Sequence, residues 1–279
     1  MQARSGGRVV LVTGAAGGIG RVMTAALLKD GHAVAAVDRD ADALKRLATA
    51  HEAPETKGRL HTIAEDLELE FGCLAAVEAA RAHFGTVEAV INNAGIGMGS
   101  IRPDADSRLP TIEELTPDIW DPFLAIFVRA PATITRALVP YMKQGGWGRI
   151  VNNTTSYLTM MRVLPYGAAK AALEAMSAVW AKELTGSGIT VNVLVPGGPT
   201  DTPMVPDASG WPRDKMLRPE IMGAPAAWLI SDASSGFTGQ RIVAARWDAS
   251  LPATEAAAKS SRAIGWPELG ADAVWLKGA

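Results

Sequence analysis

The sequence is poor in cysteine, in histidine and in long apolar runs. Of 279 residues one is cysteine, Cys73, and four are histidine. A lone thiol excludes an intramolecular disulfide and every multi-cysteine metal motif. His32, His51, His61 and His83 are scattered, without ligand spacing such as HExxH, so no metal site is expected. Neither sign of charge dominates: 27 Lys+Arg stand against 29 Asp+Glu, a net charge of −2. That balance gives no electrostatic basis for binding nucleic acid or an anionic membrane. No apolar run reaches the roughly 18 residues of a membrane span. Residues 1–7, MQARSGG, are too short and polar for a signal peptide and read as a flexible tail. The expectation is a soluble, cytoplasmic protein with no nucleic-acid or membrane partner.

What is present is a globular composition, 48% hydrophobic and 20% charged. A chain this long can bury a large core without staples, as one α/β domain or as two smaller units. Short apolar runs at 8–13, 33–37, 60–63, 89–92, 148–153, 190–195 and, more weakly, 240–244 read as strands. Between them lie helical patterns at 19–30, 41–50, 73–84, 117–142 and 166–186. The alternation predicts an α/β fold: one doubly wound Rossmann-type domain over residues 8–247, with a predominantly parallel seven-stranded sheet. Ligands of such a sheet sit beyond the carboxyl ends of its strands.

Two stretches break the rhythm. Residues 97–116 form a long polar connection, and residues 196–225 hold seven of the 17 prolines and read as a loop or lid. From 248 to 279 a C-terminal extension carries Trp266 and Trp275, with helical propensity near 253–262. It is expected to pack on the body or on a neighbouring subunit.

The first strand runs straight into Gly14-Ala15-Ala16-Gly17-Gly18-Ile19-Gly20, and a helical pattern follows. Glycines here permit a tight turn and let backbone N–H groups approach a pyrophosphate at a helix N-terminus. About 20 residues on, the second strand ends at Asp38-Arg39. A carboxylate at that point accepts a ribose 2′-OH and repels a 2′-phosphate, so NAD is favoured over NADP, with Arg39 softening the repulsion. Taken alone, Asp38 fits a helix cap equally well.

These residues resemble the classical short-chain dehydrogenase/reductase family. Thr13-Gly14-x-x-x-Gly18-x-Gly20 is similar to its cofactor motif, and Glu65-Asp66-Leu67 to the turn that touches the adenine. Asn92-Asn93-Ala94-Gly95 is similar to the motif after the fourth strand, and Tyr166-x-x-x-Lys170 to the active-site pair. Pro196-Gly197 opens the loop on the nicotinamide side. The resemblance runs from about residue 9 to 242. It implies hydride transfer between a nicotinamide cofactor and a secondary alcohol or ketone, and assembly into a homodimer or homotetramer through the 117–142 and 166–186 helices. A dinucleotide-binding sensor or scaffold without turnover is the competing reading.

Tyr166 and Lys170 lie one helical turn apart, on one face. An ammonium and a cationic nicotinamide beside the phenol would lower its pKa from about 10 toward the working pH, as an acid/base requires. Counting along the fifth strand puts the family's serine position at Thr155, with Ser156 an equal rival for orienting substrate. The connection onward to Tyr166 is short. Phe127 stands where the family's asparagine helps hold a water-mediated proton path, and a phenyl ring can serve no such path. In the proline-rich loop Thr202 is the choice for the carboxamide contact, with Thr200 the alternative. The last strand runs into Ala244-Ala245-Arg246-Trp247-Asp248 and lacks the family's acidic-glycine-glycine closure. Met160, Met161, Leu164, Met204, Trp211 and Met216 fall near the active-site mouth, suiting an apolar pocket, a lid's own packing or a subunit contact.

Overall fold

The computed structural model describes residues 7–272. Residues 1–6 of the expected tail, and Trp275 in the extension, lie outside the described residues. Seven strands run parallel: β1 (Val9–Thr13), β2 (Ala33–Asp38), β3 (Leu60–Ala64), β4 (Ala89–Asn92), β5 (Gly148–Asn153), β6 (Ile189–Val195) and β7 (Gln240–Val243). Their order is β3-β2-β1-β4-β5-β6-β7. An eighth strand, β8 (Ser261–Ala263), pairs antiparallel with β7 and takes the outer edge. The expected seven-stranded sheet is therefore an eight-stranded one. Three mostly polar residues give β8 no periodic signal, and only pairing with β7 makes it a strand.

Both faces of the sheet are covered, which is why its strands read as continuous apolar runs. Val9 and Leu11 of β1 point into one core with Cys73, Ala76 and Val77 of α3 (Glu70–Phe84), which is built with the long helices below. Val10 and Val12 point into the other, with Met23 and Leu27 of α1 (Gly18–Lys29) and Leu44 and Leu47 of α2 (Ala41–Ala50). Each fully buried side chain of this size contributes roughly 1.5–3 kcal/mol. Leu11→Ala would leave a void and cost about 2–5 kcal/mol.

The expected helix at 117–142 is one helical run, Pro117–Gly145, with a change of pitch inside it. It comprises α4 (Pro117–Leu124), a π-helical turn at Ala125–Arg129 and α5 (Ala130–Gly145). Pro131 has no N–H to give the Phe127 carbonyl, and the Ala130 N–H bonds Ala125 five residues back. By length and composition alone this run could cross a membrane, with a mean hydropathy of 1.3 in its best window. Half of that window is buried in the protein, where Ile134 and Leu138 join the first core.

After β5 come a single turn, α6 (Tyr157–Met160), and the long α7 (Tyr166–Glu183). The proline-rich stretch forms short 3₁₀ turns pinned by Arg213, which bonds Asp201 at 2.9 Å and the Val205 carbonyl at 2.6 Å. Its end already belongs to α8 (Gly223–Ile230), which includes Pro225. From the extension, α9 (Ala253–Ser260) buries Ala257 in the second core and leads into β8.

Candidate active site

Strand order reverses between β1 and β4, and the loops leaving these strands open a crevice at their carboxyl ends. The Thr13 hydroxyl ties them together by accepting the N–H groups of Asn93 and Ala94, each at 2.9 Å. The Asn93 amide returns bonds to the carbonyls of Thr13 at 3.0 Å and Gly14 at 3.2 Å. Gly14 has φ +62°, and a Cβ there would lie 2.8 Å from the Ala94 Cα. Only glycine suits both demands.

α1 begins at Gly18 with no side chain capping its N-terminus, so its first amides remain for an anion. Thr202 packs over this turn, since a Cβ on Gly18 would come within 2.5 Å of its side chain. Thr200 is turned inward, its hydroxyl donating to the Gly198 carbonyl at 3.2 Å. Asp38, at the end of β2, accepts the N–H of Ala16 at 3.1 Å and of Asp40 at 3.2 Å. Those bonds set the carboxylate against the glycine-rich turn. Arg39 is exposed and reaches Glu68 at 3.4 Å. Glycines where a Cβ would fill the cradle, an uncapped helix start and a carboxylate at the end of β2 together fit a dinucleotide.

The cleft continues past Asn93, Ala94 and Gly95 to the start of α7, enclosing about 730 Å³. The candidate cofactor and catalytic residues line it, apart from Thr13 and Asn92 of the quoted motifs. Among the apolar candidates, Met204 and Trp211 line it, Met160 and Met216 are buried elsewhere, and Met161 and Leu164 are exposed.

Tyr166 and Lys170 share one face of α7, but they do not meet directly. The Lys170 ammonium donates to the Asn153 carbonyl at 2.6 Å. It lies 4.2 Å from the centre of the Phe127 ring and 5.9 Å from that of Tyr166. Phe127 meets Tyr166 edge-on at 5.2 Å. The phenyl ring thus offers its π face to a buried cation, a contact worth about 2 kcal/mol when desolvated.

Burial is the leading influence on both titrating groups. It pushes Tyr166 up to about 12, with a side-chain hydrogen bond from Thr155 opposing and the charge of Asp106 reinforcing. It pushes Lys170 down to about 7. The expected lowering of the phenol is thus reversed in the protein alone, because desolvation outweighs an ammonium held away on Asn153 and Phe127. Thr155 and Ser156 separate clearly. Thr155 is the hydroxyl near enough to Tyr166 to favour its phenolate. Ser156 caps α6, accepting the Thr159 N–H at 3.1 Å and sharing a 2.8 Å bond with the Thr159 hydroxyl.

A buried clasp that the sequence did not reveal holds the turn after β5. Glu174, one turn beyond Lys170, pairs with Arg241 of β7 and accepts the Thr154 hydroxyl at 2.9 Å. Arg241 also donates to the Thr155 carbonyl at 2.6 Å. Glu174 and Arg241 lie 67 positions apart, so no local motif could have joined them. The i, i+8 spacing of Tyr166 and Glu174 was the available signal. Asp106, from the long polar connection, lines the cleft itself and was also missed by sequence reasoning.

Residues 8–212 match the family model for short chain dehydrogenases. The chain is 31% identical over 252 residues to a D-threitol dehydrogenase of Mycolicibacterium smegmatis, covering 86% of this chain and 92% of that protein. A 3-ketoacyl-(acyl-carrier-protein) reductase of Brucella melitensis, solved with NADH, superposes with a TM-score of 0.69 at 30% identity, covering 84% of this chain and 94% of that one. L-sorbose reductase of Gluconobacter frateurii, solved with NADPH and L-sorbose, gives 0.70 at 26%, covering 88% and 95%. The chain belongs to the short-chain dehydrogenase family. It is an oxidoreductase that passes hydride between a nicotinamide cofactor and a small alcohol or ketone.

Proposed function

We propose that Tyr166 is the acid/base of this reaction, that Lys170 is its electrostatic partner, and that Thr155 orients the substrate oxygen. The observation carrying this reading is their convergence on one wall of the cleft, past a cradle built for a dinucleotide. A nicotinamide cofactor held by the glycine-rich turn at 14–20 and by Asp38 would supply or accept the hydride at the carbon of a secondary alcohol or ketone. Tyr166 gives its proton to the carbonyl oxygen in reduction and takes it from the hydroxyl in oxidation. Thr155 bonds the same substrate oxygen from beside the phenol, which keeps the proton's path short. Lys170 favours the phenolate only while protonated, so its contacts with Asn153 and Phe127 matter to the chemistry as well as to packing.

NAD is the preferred cofactor in this reading, because the Asp38 carboxylate accepts the 2′-OH and repels a 2′-phosphate. Arg39 is drawn toward Glu68, which weakens its call on a phosphate. The protein assembles as a dimer or tetramer through Pro117–Gly145 and α7, where Leu124, Tyr141 and Val179 are exposed. Light scattering at several concentrations checks this, and a monomer mass throughout contradicts it.

The deciding experiment is Tyr166→Phe, which removes one oxygen and keeps the ring. Turnover should fall about 10²–10⁴-fold while cofactor binding persists. Native turnover in this variant would sink the assignment. Cofactor binding by the wild-type protein without turnover of any alcohol or ketone would instead favour a sensor.

A further inference from the structure

The connection between β4 and α4 is rich in charge, and most of it is paired internally. Arg102 lies 3.0 Å from Asp104 and 3.6 Å from Glu114. Arg108 lies 3.5 Å from Asp104 and 3.3 Å from Glu114. Asp106 stands outside this cluster. Its Oδ2 is buried with no hydrogen-bond partner among the described residues, and the side chain lines the cleft that also holds Tyr166 and Thr155. Burial raises its carboxyl above the usual range, and its charge is close enough to oppose ionisation of the phenol. A buried acceptor left unpaired is costly, and an apolar side chain would serve packing better.

We infer that Asp106 accepts a hydrogen bond from a substrate hydroxyl other than the reacting one, so that the preferred substrate is a polyhydroxylated alcohol or ketone. This rests on the hydride-transfer reading of Tyr166 and Lys170. The surroundings suit such a molecule. Thr155 brings a hydroxyl to the same cleft, while Met204 and Trp211 bring apolar surface for the carbon chain. The lining cations are committed elsewhere: Arg39 lies at the ribose side with Glu68, and Lys170 is held on Asn153 and Phe127. A carboxylate there also repels a carboxylate or phosphate on the substrate. The names of the relatives include both kinds of substrate, threitol and sorbose on one side and a 3-ketoacyl group on the other. Asp106 favours the first.

The test is a four-carbon series with the wild-type protein and saturating cofactor: 2-butanol, 2,3-butanediol, a butanetetrol and 3-amino-2-butanol, beside a 3-oxoacyl thioester in the reducing direction. The wild type should show kcat/KM at least about tenfold higher for the hydroxylated compounds than for 2-butanol, carried mainly by KM. Asp106→Leu should collapse that ratio toward one, and Asp106→Asn, which keeps an acceptor oxygen, should restore part of it. Cofactor titration of both variants reports whether the fold is kept, and the wild-type ratio needs no variant at all. Turnover without preference for hydroxyls, a preference for the amino alcohol or thioester, or equal losses on all substrates in Asp106→Leu would overturn the inference and leave the reaction class standing. No turnover of any compound would overturn the hydride-transfer reading and the inference with it.

Discussion

Replacing Lys170 by methionine removes an ammonium and keeps a side chain of similar length at a position only 3% exposed. Burial holds this lysine at about 7, against an ordinary 10.5. Below about pH 7 the group is charged in the folded and unfolded chains alike, and the folded protein bears the whole desolvation cost. Between about 7 and 10.5 the unfolded chain still holds a proton that the folded chain has released. Wild-type stability therefore rises with pH through that window. A displacement from 10.5 to about 7 corresponds to ~5 kcal/mol. Of this, about 3 kcal/mol is recovered between about pH 6 and about pH 9. Lys170→Met has no such dependence, so wild type should gain about 3 kcal/mol on the variant over that interval. The bond to the Asn153 carbonyl is lost at every pH, at a cost of about 1–3 kcal/mol, and drops out of the comparison. Urea unfolding of both proteins without cofactor, at one protein concentration, measures the difference. A gap that stays constant with pH, or that moves the other way, would show that Phe127 and Asn153 compensate the buried ammonium fully, and the argument from burial would fail.

Asp38→Ala should narrow the preference for NAD over NADP, as read by titrating both cofactors; a native preference for NADP would mean that Arg39 governs the ribose pocket. Phe127→Asn exchanges the ring over Lys170 for an amide and should raise turnover and change the solvent isotope effect, because proton exchange with solvent then has a polar route. Rates in ordinary and heavy water, with folding controls for the loss of a buried ring, check this. Unchanged rate and isotope effect would remove the relay argument.

The parts of the molecule legible in the sequence are those whose physics is local. A strand, three glycines and a helix start must be neighbours in the chain to cradle a pyrophosphate, and one turn of helix suffices to align Tyr166 with Lys170. Asp38 was legible for the same reason, lying at the end of the strand that follows. The choice between Thr155 and Ser156 was not, because a shift of one residue in the turn exchanges their roles. The turn that carries both is held by the Glu174–Arg241 pair, which reaches it from an α-helix and a distant strand. The direction of the Tyr166 shift also escaped the sequence. Spacing places an ammonium on the right face, but Asn153 and Phe127, remote in sequence, determine where it points. Asp106 sits in a connection without periodicity, and nothing short of the folded cleft sets it apart from Asp104.

The clasp around Thr155 reaches further than the cleft. Arg241 lies in β7 directly opposite Arg262 of β8, while its guanidinium holds the Thr155 carbonyl and the Glu174 carboxylate. The outermost strand is therefore two bonded steps from the hydroxyl that touches Tyr166. Trimming the chain before residue 261 would bare an edge to which another copy could add itself. It would also loosen a cantilever whose tip is Thr155. Variation in β8 thus becomes a way to retune the geometry of the cleft from the rim of the sheet, leaving its lining residues untouched.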